Sequence, residues 1–188
     1  MKARKPSNDM GGDPVDFDAL VRPHVDVLYR LAFRFTGSRE EAEDLVQDLL
    51  VKLYPRTREL AAVEDLRPWL TRVLYRMFVD SHRKRRRRRV VPIGEGREEA
   101  EGDPSDQMPS EAPGPEEEAN ARYTRARLQN ALRQLGDHHR AVVALHDMEG
   151  YTLAELETLL EVPAGTLKSR LHRARARLRE LLAEDGTL

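Results

Sequence analysis

The sequence predicts an all-α protein made of two small helical domains joined by a flexible acidic linker, the second domain ending in a helix-turn-helix. Three observations carry that expectation. Apolar residues recur at three- and four-residue spacing in two blocks, 16–90 and 119–183. Between the blocks, residues 91–118 are rich in Gly, Pro, Ser and acid, a composition that cannot bury enough apolar surface to fold by itself. The stretch Tyr151–Leu182 reads as two short helices around a tight turn, with a basic second helix.

Charge is informative through its arrangement rather than its sum. The 188-residue chain is 35% charged with a net charge of −1, yet its acids and bases are gathered into separate blocks. Cysteine is absent, which excludes disulfides and thiolate metal sites and fits a cytoplasmic protein. The amino terminus MKARKPSNDMGGDPVD lacks the apolar core of a signal peptide, and nothing later approaches the run of ~20 apolar residues that spans a bilayer. No membrane insertion is expected. No cofactor is implied, and P-loop, H-E-x-x-H and G-x-S-x-G motifs are missing, so an enzyme is not expected.

Residues 1–15 show no periodicity and read as an arm. From Phe17, the residues Leu20, Val21, His24, Val25, Leu28, Leu31, Ala32 and Phe35 predict one helix ending at Gly37. Ser38 and Glu41 form a capping-box pattern that opens the next helix, with Leu45, Val46, Leu49, Leu50 and Leu53 inward and Asp44, Gln47 and Asp48 outward. An acidic face of this kind is most often merely solvated. Pro55 closes the segment.

A third helix begins near Asp65 or Pro68 and ends in seven consecutive cations, Arg83 to Arg89. The helix dipole favours cations there, but their mutual repulsion calls for an anion such as a phosphate backbone. Tyr75 and Phe78 precede the run, and rings beside a positive track can hold single-stranded bases, although both serve equally well as core. The linker carries ten acids against one arginine between Glu95 and Glu118 and could compete with DNA for the basic helices. After it come Leu128, Leu132 and Leu135, a break at Gly136-Asp137, and a helix with Val142, Val143 and Leu145 inward. His138 and His139 are adjacent, so they diverge by about 100° on a helix and do not chelate a metal from one face. Residues 184–188 read as a tail.

In the terminal pair of helices, Thr152 and Glu155 form a second capping box, and Leu153, Leu156 and Leu160 make a buried stripe. Pro163 suits the first turn of the following helix. Along that helix Leu171, Ala174 and Leu178 fall within about 40° of Leu167 and form a single seam with it. Opposite it lie Ser169, His172 and Arg173, with Thr166 nearby; Lys168, Arg175 and Arg179 flank one side, and Arg170 and Arg177 the other. Gly165 to Arg179 holds six cations and no acid, whereas a merely solvated helix usually mixes Glu with Arg. Short or forked donors in the middle and cations at the flanks suit a major groove.

Taken in order, the segments EEAEDLVQDLLVKLY, RPWLTRV and GYTLAELETLLEVPAGTLKSRLHRARARLREL make the chain resemble the extracytoplasmic-function branch of the bacterial sigma-70 family. The resemblance covers about 17–89 and 125–182. It implies a dissociable factor that binds core RNA polymerase, recognises −35 and −10 promoter elements and assists melting. Asp44, Leu45, Val46, Gln47 and Asp48 match the segment that contacts the β′ clamp coiled coil; a β flap contact and an anti-sigma factor are further implied partners. Trp69, Arg72, Tyr75, Arg76, Arg83, Lys84 and Arg85 fall in the segment that captures the melted −10 element. Thr166, Lys168, Ser169, Arg170, His172, Arg173 and Arg177 fall on the reader of the −35 element. The chain departs from the family at Arg76, where Asn is common, at Leu74, where a small residue is usual, and at Gly136-Asp137-His138-His139, where prolines and a basic residue are usual. The alternatives are a stand-alone helix-turn-helix regulator that never touches polymerase, and an adaptor using the acidic helix alone.

Overall fold

The computed structural model describes residues 15–88 and 115–184, with side chains placed for 15–83 and 120–183. The expected arm, all but the last residues of the expected linker, and the tail beyond 184 lie outside these residues, as do the side chains of Lys84 and Arg85. Every regular element described is helical.

The first domain is α1 (Phe17–Val21), α2 (Val25–Thr36), α3 (Arg39–Leu53), α4 (Thr57–Ala61) and α5 (Leu66–Arg88). The single helix expected from Phe17 to Gly37 is divided by a 3₁₀ turn at Arg22–His24, where Pro23 has no N–H to continue the ladder. Gly37 ends α2 as expected, at φ +78°, a conformation that glycine adopts without strain, and its N–H bonds the Phe33 carbonyl at 2.7 Å. Ser38 Oγ accepts from the Glu41 N–H at 3.4 Å, while the Ser38 N–H donates to Thr36 Oγ1 at 3.3 Å. Pro55 lies in a second 3₁₀ turn, after which α4 adds buried Leu60, an element too short to show periodicity.

The second domain is α6 (Pro115–Arg133), α7 (Asp137–Val143, continued by one π-helical turn to Met148), α8 (Leu153–Leu160) and α9 (Ala164–Glu184). Helix α6 begins four residues earlier than the sequence boundary at 119: Pro115 is suited to a first helical position, and Glu116, Glu117 and Glu118 favour a helix amino terminus through the dipole. The Thr152–Glu155 capping box is complete, with the Glu155 N–H donating to Thr152 Oγ1 at 3.2 Å and the Thr152 N–H donating to Glu155 Oε2 at 2.7 Å.

The domains share one core, and α2 is its centre. It packs on α3 and α5 from its own domain and on α6 and α7 from the other, which is why Phe33 and Phe35, on different faces, are both fully buried. The last carbonyls of a helix have no intrahelical donor. Those of α2 find theirs partly across the domain boundary: Gln129 Nε2 donates to the Phe33 carbonyl at 2.9 Å, and buried Arg140 donates to that of Phe35. Arg140 also bonds the carbonyls of Arg133 (2.9 Å) and Leu135 (3.0 Å), so one guanidinium locks the α6–α7 turn and caps α2.

Candidate nucleic-acid interface

Helix α9 is held by the predicted seam. Leu167, Leu171, Ala174 and Leu178 are all buried, joined by Leu181. With that face pinned against α7 and α8, Thr166, Lys168, Ser169, His172 and Arg173 are exposed together on the opposite side. Ser169 Oγ donates to the Thr166 carbonyl at 2.9 Å, which leaves its lone pairs facing outward as acceptors. Arg175 is gripped by Asp147 through two nitrogens, one at 2.9 Å, and Arg177 pairs with Glu180 at 3.0 Å. Arg170 is placed apart from the other expected contacts. It is half-buried, and its charge acts on Tyr75, His138 and His139 rather than standing over the open face.

On α5 the cations and the aromatic residues separate. Trp69 and Arg72 are half-buried and Arg76 and Arg83 are exposed, whereas Tyr75 is 6% exposed and Phe78 fully buried. Tyr75 is therefore core, not part of the open face, because the second domain covers it: its hydroxyl lies 3.1 Å from His138 Nδ1. A cleft of about 370 Å³ opens between the end of α3 and α5, lined by Lys52, Leu53, Arg56, Trp69, Arg72, Val73, Arg76, Met77 and Asp80. An indole and apolar walls beneath a rim of four cations suit a planar base attached to a phosphate chain.

The acidic side of α3 is arranged as its periodicity requires. Asp44, Gln47 and Asp48 are exposed, while Leu45 and Val46 are 8% and 7% exposed and hold the helix to the core. The outward row continues into Val51 and Tyr54, both about two-thirds exposed at 67% and 68%. The three expected surfaces thus belong to separate elements: α3 for protein, α5 for single strand and α9 for duplex.

Where the domains meet, ionisable groups gather. His82 Nδ1 lies 3.3 Å from Asp137 Oδ1, and that hydrogen bond holds the Asp137 carboxyl below its ordinary range. Burial, reinforced by the Arg170 charge, pushes His138 and His139 down, and burial pushes the Tyr75 phenol up. Among the described residues no cluster of three or more His, Asp or Glu could hold a metal ion, and no helix is long and apolar enough to cross a membrane.

Four ion pairs that sequence reasoning missed join the domains. Glu149, 8% exposed at its side chain, pairs with Arg34 and, at 3.2 Å, with Arg67. Glu161, in the turn between α8 and α9, pairs with Arg72 and, at 2.6 Å, with Arg76, and the Arg76 hydrogen bond holds its carboxyl below the ordinary range. These partners lie 82 to 115 positions apart, beyond the reach of any local pattern.

Comparison with known proteins gives a consistent picture. The family model for sigma-70 region 2 matches residues 20–88, and that for sigma-70 region 4 matches 125–178. The extracytoplasmic-function (ECF) RNA polymerase sigma factor SigL of Mycobacterium tuberculosis is 36% identical over 169 residues, covering 89% of this chain and 89% of its own. SigE of Mycolicibacterium smegmatis, also an ECF sigma factor, is 36% identical over 176 residues, 91% of this chain, which spans 63% of SigE. Among solved structures, the sigma factor RpoE of Bartonella quintana, in complex with the anti-sigma factor NepR, has a TM-score of 0.66 at 25% identity, covering 90% of this chain and 98% of its own. CnrH, in complex with the cytosolic domain of CnrY, shares the fold with a TM-score of 0.60 at 23% identity, covering 90% of this chain and 89% of its own. The chain belongs to the sigma-70 family of RNA polymerase sigma factors, in its extracytoplasmic-function branch.

Proposed function

We propose that the protein is a dissociable initiation factor: it brings core RNA polymerase to promoters, reads a two-part site and helps to open it, while the catalysis is the polymerase's own. The observation that carries this reading is the division of labour among α3, α5 and α9, each presenting a face of different chemistry on one shared core. The exposed row Asp44, Gln47 and Asp48, backed by Leu45 and Val46, docks on the β′ clamp coiled coil, and the second domain contacts the β flap. Lys168, Ser169, His172 and Arg173, with Thr166 and the flanking Arg177, read and grip the −35 duplex. The cleft beside Trp69, rimmed by Arg72 and Arg76, receives an extruded base of the −10 non-template strand, whose unstacking costs a few kcal/mol. Arg83, Lys84 and Arg85 follow the adjoining phosphates. An anti-sigma factor is the expected regulator, since the relative of known structure at 25% identity is bound to one. Such a factor works in the cytoplasm beside the polymerase.

Capture of core polymerase on the immobilised protein is the first test. Wild type retains core, and the triple substitution Asp44→Ala, Gln47→Ala, Asp48→Ala releases most of it without lowering the melting temperature, because all three side chains are exposed. Failure of the wild type to retain core would leave the stand-alone regulator as the better reading.

A further inference from the structure

Arg72 and Arg76 stand between two neighbours in the structure. Both line the cleft between α3 and α5, and both are bound by the carboxylate of Glu161, which arrives from the other domain. A carboxylate held by two guanidinium groups resembles a backbone phosphate in charge and acceptor geometry. We infer that Glu161 is an internal phosphate mimic: in the free protein it quenches the cations at the rim of the cleft, and single-stranded DNA must displace it to enter. The inference rests on the assignment of that cleft to the −10 strand.

A second observation singles out the same residue. Glu161 caps α8 in the left-handed conformation, φ +56°, and among the described residues it is the one non-glycine with positive φ. Glycine takes that conformation without steric penalty. The chain instead carries there a residue whose carboxylate spans the domain boundary.

The masking is one-sided. Thr166, Lys168, Ser169, His172 and Arg173 remain exposed in the same closed arrangement. Free protein therefore keeps its duplex-reading face while its strand-reading face is muted, and strand capture is coupled to separation of the Glu161 turn from α5. By reciprocity, whatever draws the second domain away raises strand affinity, and strand binding loosens the closed state by the same factor.

The test uses the full chain without polymerase. Glu161→Gln keeps the shape of the side chain, and Glu161→Gly suits the left-handed cap, so the two lose the carboxylate with opposite demands on the backbone. Both are expected to raise affinity for a single-stranded −10 oligonucleotide about fivefold or more at low salt. The gain should shrink as salt screens the pair, with affinity for a −35 duplex unchanged. Because the chain has no cysteine, spin labels at Glu64→Cys and Asn130→Cys report domain separation cleanly, and single-stranded DNA should broaden or lengthen the distance more readily in both variants. Unchanged strand affinity in both variants, or an equal rise for strand and duplex, overturns the inference. If wild type supports promoter-specific transcription with core while these variants bind strand as wild type does, the mimic alone is lost and the functional reading stands.

Discussion

Arg173 stands exposed on α9 because the seam behind it is narrow and wholly apolar, so the helix has one way to sit. Its neighbours are not equivalent: Arg175 and Arg177 are engaged by Asp147 and Glu180, and Arg170 turns toward α7, which leaves Lys168 and Arg173 as the cations nearest the outward row of Ser169 and His172. A forked donor in that row is expected to contact a base edge. Arg173→Ala should weaken binding to a specific −35 duplex by ~1–3 kcal/mol while leaving random duplex little affected. Equal loss on both would make it a phosphate contact. Glu149 belongs to the same scale. Its carboxylate and the Arg34 guanidinium are 8% and 12% exposed, so Glu149→Gln leaves a buried cation without its counter-ion, at a cost of about 3 kcal/mol. Thermal unfolding should register this as a fall on the order of 8 °C. A shift under ~1 °C would mean that the interdomain pair contributes nothing to stability.

Among the elements, α7 is the one whose behaviour depends most on pH. His138 and His139 occupy its first turn, faced by Tyr75 and Arg83 from α5, by Arg170 and Arg173 from α9, and by Asp137 on their own helix. Burial and the arginines put both folded-state pKa values below the ordinary value, near 6.5 in an unfolded chain. Between the two values the unfolded chain binds more protons, so stability rises with pH there: it is complete above about 6.5 and is lost as pH falls toward the folded values. The Asp137 carboxyl, also depressed, loses its contribution only in a separate window below about 4. The melting temperature should therefore drop between pH 7.5 and pH 5.5, and His138→Asn, which still offers Tyr75 an acceptor, should flatten the drop. A profile that is flat in wild type contradicts the assignment.

The elements also differ in how far they could be read from sequence. Periodicity and caps sufficed for α3, α8 and α9, and Gly37 for the end of α2, whereas periodicity runs unbroken through the turn at Pro23 that starts α2 and reads as continuous helix there. Tyr75 and Phe33 were not legible in that way. What buries them is the other domain, and contacts such as Gln129 with the Phe33 carbonyl or Tyr75 with His138 join residues 96 and 63 positions apart. The same reason hid Glu161, whose carboxylate looks like a solvated turn residue until α5 is placed beside it. Short elements held by tertiary contact, α4 above all, show too few residues for a period to appear.

At the scale of the molecule, two helical domains share one core and are joined through α2, whose terminal carbonyls at Phe33 and Phe35 accept from across the boundary. The closed arrangement leaves the outward rows of α3 and α9, proposed to meet protein and duplex, exposed, while Glu161 is bonded to Arg72 and Arg76 beside the cleft on α5. If polymerase holds the two domains apart, such a factor is weak on DNA alone and selective on core, since affinity for promoter is then divided between two half-sites held at a fixed distance. On this view the chain gives core RNA polymerase a promoter specificity that core lacks. Run-off transcription of genomic fragments by core enzyme, with and without the protein, tests it directly. Discrete new transcripts are expected only when the protein is present, their start sites preceded by a shared two-part sequence. An identical transcript pattern with and without it, from a preparation that still binds duplex DNA, would mean that the protein confers no promoter specificity on core.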